Sequence, residues 1–324
     1  MRSALQIWLL FGAGWLFWGW GFYAHRHINR MAVFTLPPPL IAFYKKHIEY
    51  ITDASVNPDR RRFALPDEAP RHYIDIDHFG DSAVYTMPRR WQDAVAKYGE
   101  DTLKAYGILP WHLPVVYYRL RDAFFMRDAD MILRLSADLG HYVADAHVPL
   151  HTTENYNGQL SGQVGIHAFW ESRVPELLAG DYDFWVGRAQ YVPDVVQSVW
   201  QAVVQAHRAV DTVLMAERLL TEKFGDRKYS FETRGRQTVR VYSAEFTRAY
   251  HQALNGMVER QMRAAIKMIG DLWYSAWVDA GQPNVQELLY YTPTTQELEQ
   301  RRRELEEWKN GTLRVRPHET ENDR

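Results

Sequence analysis

Residues 131–151 read MILRLSADLGHYVADAHVPLH, and this run decides the fold class. Its apolar residues recur at three- and four-residue steps, the period of a helix with one buried face. His141 and Asp145 stand four apart inside it, so their side chains share a face and converge. Pro149 ends the helix, because its ring clashes with the preceding turn. His151 follows as the chain leaves. Further on, HAFWE at 167–171 repeats the four-residue spacing with His167 and Glu171, on what reads as a new helix. These five residues put three imidazoles and two carboxylates within 31 positions. Histidine and carboxylate ligands without thiolates suit zinc in a catalytic site.

The helical period extends through most of the chain. It predicts helices over 24–34, 41–51, 115–125 and 129–145, and a short one within 89–106. Two long helices are predicted over 193–224 and 243–280. Few segments alternate with a period of two and no internal repeat is visible, so the fold class is all-α, a multi-helix bundle. His47, His207 and His251 fall on these helices as packing or surface residues, and His147 as a supporting one. Residues 53–81 differ. Prolines at 58, 66 and 70 and dense charge make them a loop region. The region holds Asp53, Asp59, Asp67, Glu68, His72, Asp75, Asp77 and His78, and long ordered loops in a helical chain carry function. From about Asn284 the composition turns charged, as in TTQELEQRRRELEEWKNG.

A hydrophobic content of 46% and an aromatic content of 14% exclude disorder as the default. A net charge of -2 gives no bulk electrostatic argument for a polyanionic partner. With no cysteine, the chain has no disulfide and no thiolate metal site. Met1-Arg2-Ser3 is a short positive region, followed by an almost wholly apolar run from Ala4 to Phe22. This predicts an export signal over residues 1–19, and hence a periplasmic or secreted protein. An uncleaved membrane anchor is the alternative, because the run approaches the ~20 residues that a span needs. Residues 20–283 then form the catalytic domain and 284–324 a charged C-terminal extension.

His-x-x-x-Asp, then Pro-Leu-His, then His-x-x-x-Glu, preceded by WGFYAH at 20–25, resembles the zinc-dependent phospholipase C and S1/P1 nuclease superfamily. The resemblance covers about residues 20–173. It implies an all-α fold with three zinc ions in a cleft. One ion takes Asp59, His72, His141 and Asp145, and a second takes His151, His167 and Glu171. A third takes His25, Asp145 as a bridge, and the free amine and carbonyl of Trp20, which requires cleavage between Gly19 and Trp20. The implied activity is phosphodiester hydrolysis by zinc-activated water. Asp59 serves as ligand or general base, and Arg62 as a phosphate clamp, since a guanidinium fork matches a phosphate bidentately. The branches of the superfamily stay open. Glu171, Asn155, Asn157 and the lack of cysteine look like the phospholipases. The Trp20–His25 spacing, Arg62 and HYID look like the nucleases, in which Tyr73 stacks on a base and Asp75 reads its edge. The substrate is therefore a phospholipid, met through transient contact with a membrane surface, or a single-stranded nucleic acid. Asn157 is a further substrate contact, and no protein partner is implied. A zinc-binding protein without turnover is the non-enzyme alternative.

Overall fold

A computed structural model describes residues 22–235 and 237–311. The expected export signal or anchor, Trp20, and the tail beyond 311 lie outside the described residues. The described chain is mostly helical. Helices α1 (Phe22–Ala32), α2 (Pro38–Lys46), α3 (Ile48–Ala54) and α4 (Asn57–Arg61) come first. After the short α5 (Ala83–Thr86) come α6 (Trp91–Tyr98), α7 (Glu100–Tyr106), α8 (Leu109–Met126) and α9 (Ala129–Asp145). Then follow α10 (Ile166–Ala168), α11 (Val174–Leu178), α12 (Val195–Arg208), α13 (Val210–Phe224), α14 (Ala244–Ala253), α15 (Met257–Asp279) and α16 (Thr295–Asn310). No helix among the described residues is long and apolar enough to cross a membrane.

The centre of the bundle is α9, packed against α1, α3, α8 and α15. Asp128 caps its first turn by accepting from the Met131 amide at 3.0 Å. Nearly all of its last three turns is buried, from Leu135 to Asp145. The α1–α9 contact is close because Gly140 has no side chain. A Cβ there would sit inside the Asn29 amide group. On the other flank, Tyr44 shares a hydrogen bond with Ser136 Oγ (2.7 Å) and stacks on Trp273, whose indole donates to the Ser136 carbonyl at 3.1 Å. All three residues are fully buried. A buried hydroxyl or indole costs stability unless it is paired, and these are.

Several boundaries differ from those the periodicity predicts, for local reasons. Pro38 starts α2 instead of merely stopping α1, because proline suits the first helical turn. The 41–51 segment is split at His47 into α2 and α3. Helix α8 begins at Leu109, well before Val115, and runs through Pro114. That proline forfeits the bond its amide would have made to the Pro110 carbonyl. The 193–224 segment bends at Ala209 into α12 and α13. The 243–280 segment breaks at Asn255-Gly256, both left-handed (φ 50° and 71°), the conformation Asn and Gly adopt most readily. A hairpin, β1 (Tyr229–Arg234) and β2 (Gln237–Tyr242), pairs Tyr229 with Tyr242, a feature the helical period did not announce. The charged extension folds back onto the bundle. Trp308 of α16 is buried against the Arg61 guanidinium, and Gly311 lies on the Phe63 backbone.

Candidate metal centre

Five segments bring polar side chains to one place. From α9, His141 and Asp145 point inward, both buried. From α1 comes His25, from the segment after α3 come Asp59 and His72, and the turn Pro149–Thr152 inserts His151. The last segment carries His167 and Glu171. Here α10 passes into a π turn, Phe169–Arg173, before α11 begins. Such turns concentrate at functional sites because the extra residue re-aims side chains. The hairpin braces this turn: Arg173 donates to the Tyr242 carbonyl at 3.1 Å and pairs with Glu232, while Phe169 stacks on Tyr242.

The contacts of the ring nitrogens fix which atoms face inward. His151 Nδ1 lies 2.5 Å from the His72 carbonyl, and His167 Nδ1 lies 3.2 Å from the Tyr156 carbonyl. Each Nδ1 must donate, so each neutral ring turns an Nε2 lone pair inward. Those two Nε2 atoms stand 3.2 Å apart, and Glu171 Oε2 lies 2.9 Å and 3.5 Å from them. Three acceptors facing one another repel unless a cation or a proton sits between them. The pattern recurs on the other side. His141 Nδ1 faces the Ser55 carbonyl at 2.8 Å, and its Nε2 meets His72 Nδ1 at 3.0 Å and Asp145 Oδ2 at 3.3 Å. Asp59 Oδ1 stands 3.8 Å from both rings. For metal–ligand bonds of 2.0–2.1 Å in a tetrahedron, neighbouring ligand atoms are about 3.3 Å apart. The observed separations bracket that figure.

Buried His/Asp/Glu groups that could hold a metal ion are therefore present in three sets: Asp59, His72 and His141; His151, His167 and Glu171; and His25, His141 and Asp145. Asp145 is shared, with Oδ2 toward His72 (3.0 Å) and Oδ1 toward His25 (3.4 Å). Glu171 is shared too, because its Oε1 lies 3.2 Å from His25 Nε2. The resemblance does not assign Glu171 to that set.

The electrostatics match this crowding. Burial works against charge on His25, but the hydrogen bond to Glu171 and the charge of Asp145 outweigh it and raise its pKa to about 9. Burial likewise opposes charge on Asp145 and Glu171, yet the surrounding imidazoles hold both well below the usual carboxylate range. His141 is pushed down by burial and by the charge on His25.

The other residues singled out in the sequence divide. Arg62 lies beside the centre, its Nη1 4.0 Å from Asp59 Oδ1. Asp53 points away and pairs with Arg26 on the surface, which leaves Asp59 as the carboxylate of that segment. Tyr73 and Asp75 are not brought to the cleft. Tyr73 is buried with its hydroxyl donating to the Ala105 carbonyl (3.1 Å), and Asp75 is buried as well, because Gly107 lets the chain press onto this segment. As placed, Tyr73 offers no free face for a base. Asn157 sits near the centre, but its Oδ1 accepts from the Gly165 amide at 3.0 Å and closes the 157–165 loop.

Sequence reading named Glu68 among the residues of the charged loop but not its supporting role. Glu68 is fully buried, its Oε1 3.6 Å from His72 Nε2, and it accepts from Tyr142, Arg61 and Arg71. Burial pushes its pKa up, but His72 and Arg61 outweigh this and keep it ionised. Its charge lies on the Nε2 side of the His72 ring, whose Nδ1 faces the centre. Its one sequence signal was a four-residue step to His72 in a charged loop. No family model matches the chain, and no curated protein matches it.

Proposed function

We propose that the chain is a zinc-dependent phosphodiesterase of the phospholipase C and S1/P1 nuclease kind, acting as a phospholipase C. The observation that carries this reading is the inward convergence of the His151, His167 and Glu171 acceptor atoms beside a second, similar set. The donor set is all nitrogen and oxygen, which fits zinc. Asp59, His72, His141 and Asp145 would hold one ion, and His151, His167 and Glu171 a second. His25 and Asp145 would hold a third with the amine and carbonyl of Trp20, after export and cleavage at Gly19-Trp20.

Bound zinc supplies Lewis acidity that acidifies water and offsets charge on the phosphoryl oxygens. The chain's residues do the rest. Arg62, partly exposed at the rim beside Asp59, pairs with a phosphoryl oxygen and holds the diester in place. Asp59, whose Oδ1 lies 3.8 Å from both neighbouring rings, takes a proton from the attacking water as the new P–O bond forms and passes it to the leaving ester oxygen as that P–O bond breaks. Glu68 and the Ser55, His72 and Tyr156 carbonyls fix the imidazoles so that no reorganisation is needed during the reaction.

Asp59 and His167 keep about a quarter of their side-chain surface exposed, which favours an open, catalytic centre over a closed storage site. The burial of Tyr73 favours the phospholipid over the nucleic acid. The test is zinc content together with turnover of phosphatidylcholine in micelles and of single-stranded DNA. Zinc with lipid cleavage supports the reading, DNA cleavage alone moves it to the nuclease branch, and zinc without turnover of either sinks it.

A further inference from the structure

Away from the metal centre, the molecule has a cavity of about 930 Å³ between α5, α6, α8 and α12. Its floor is aromatic. Trp111 meets Trp91 and Trp200 edge to face, at 5.7 Å and 5.2 Å between centroids. Its rim is cationic, with Arg89, Arg90 and Arg208 lining it and Asp194 the one carboxylate among the lining residues. That carboxylate is already engaged, because it caps α12 by accepting from the Gln197 amide at 2.8 Å. No ion pair to any of the three arginines occurs among the described residues.

Two of the guanidiniums are held against rings. Arg89 lies 4.0 Å over Trp200 and Arg208 lies 5.3 Å over Tyr85. Stacking fixes the plane of a guanidinium, and Arg89 already donates through Nη2 to the Val84 carbonyl at 3.3 Å. Two donors at this place are buried with no acceptor: Arg89 Nη1 and the Trp200 indole Nε1. Buried N–H groups are rarely left unpaired, and an exception at a cavity asks for a ligand that accepts. The volume lies within the range of pockets that bind small organic molecules.

We propose that this groove is a second ligand site, for an oxyanion carried on a flat apolar body: an aryl phosphate or an aryl carboxylate. The oxyanion accepts from Arg89 and Trp200, and the body lies on the tryptophan edges, with Arg208 closing the far end. The site is independent of the metal centre and does not rest on phosphodiesterase activity.

The test is titration of the intact protein with phenyl phosphate, benzoate and inorganic phosphate, reading the indole N–H resonances by NMR. The Trp200 signal is assigned by its loss in Trp200→Phe. The expected result is a saturable downfield shift of that signal, with a Kd in the millimolar range or tighter for one of the aryl anions. Which aryl anion binds tells phosphate from carboxylate. Inorganic phosphate should bind at least ~10-fold more weakly, a difference of about 1.4 kcal/mol. Arg89→Gln and, separately, the exposed Arg208→Gln should each weaken the shift, whereas Arg62→Gln at the metal centre should not. No saturable shift at Trp200, or a shift that survives both groove substitutions, overturns the proposal.

Discussion

At the scale of single residues, Asp145 carries the most. Its two oxygens face different imidazoles, so Asp145→Asn removes charge from two metal sets at once. Zinc content should fall by more than one ion and turnover by more than ~100-fold. Full zinc and full turnover in this variant would remove the shared-carboxylate assignment. Glu68→Gln keeps a hydrogen-bonding group but loses the charge beside His72. Metal affinity should drop about 10- to 100-fold, checked by competition with a chelating dye. The protons have their own signature. In the metal-free protein the His25 pKa is raised from 6.5 to about 9. A raised folded-state pKa stabilises below the unfolded value and is lost as pH rises through the folded one. Melts of the chelated protein should therefore show Tm falling as pH rises from about 6.5 to about 9, and zinc binding at pH 8 should release protons measurable by calorimetry in two buffers. A flat Tm across that window would contradict the raised pKa of His25.

At the scale of elements, the informative case is α16. Composition marks it as a charged appendage, yet Arg301 pairs with Asp130 and Glu304 with Arg134, both on α9. Trp308 packs on Arg61, in the helix that also carries Asp59. Trp308→Ala should cost about 3 kcal/mol in unfolding free energy and lower turnover by loosening Asp59 and Arg62. Unchanged melting and unchanged kinetics would make α16 a passenger. The helices of the site were legible because their apolar period is strong: α9 begins and ends where the sequence places it. The breaks inside the two long segments were not, because period alone does not register a bend at one residue such as Ala209. The hairpin escaped for another reason. Its inner face is short and its role is to brace the π turn, a partnership between distant residues.

At the scale of the whole molecule, the centre ties together five segments that span residues 25 to 171. Binding free energy from metal is then also folding free energy. Removing metal with a chelator should abolish turnover and lower Tm by roughly 5–10 °C, with zinc restoring both. The same view separates the two cavities. The metal centre is assembled from long-range contacts, whereas the arginine groove is an opening between packed helices whose donors remain unanswered.

The sequence by itself determined the helical class and the pair His141–Asp145, because a helix of fixed pitch converts a four-residue spacing into a shared face; His167 and Glu171 meet across a π turn that the spacing did not announce. It also nominated Asp59 and His72 within the charged loop. Only the tertiary structure decided which of that loop's residues reach the centre. Asp53 turns to solvent, Tyr73 and Asp75 turn to the core, and Glu68 becomes the buried brace. Irregular backbone has no repeat, so the direction of each side chain there is set by what packs against it: Gly107 against Tyr73, Tyr142 against Glu68, Trp308 against Arg61.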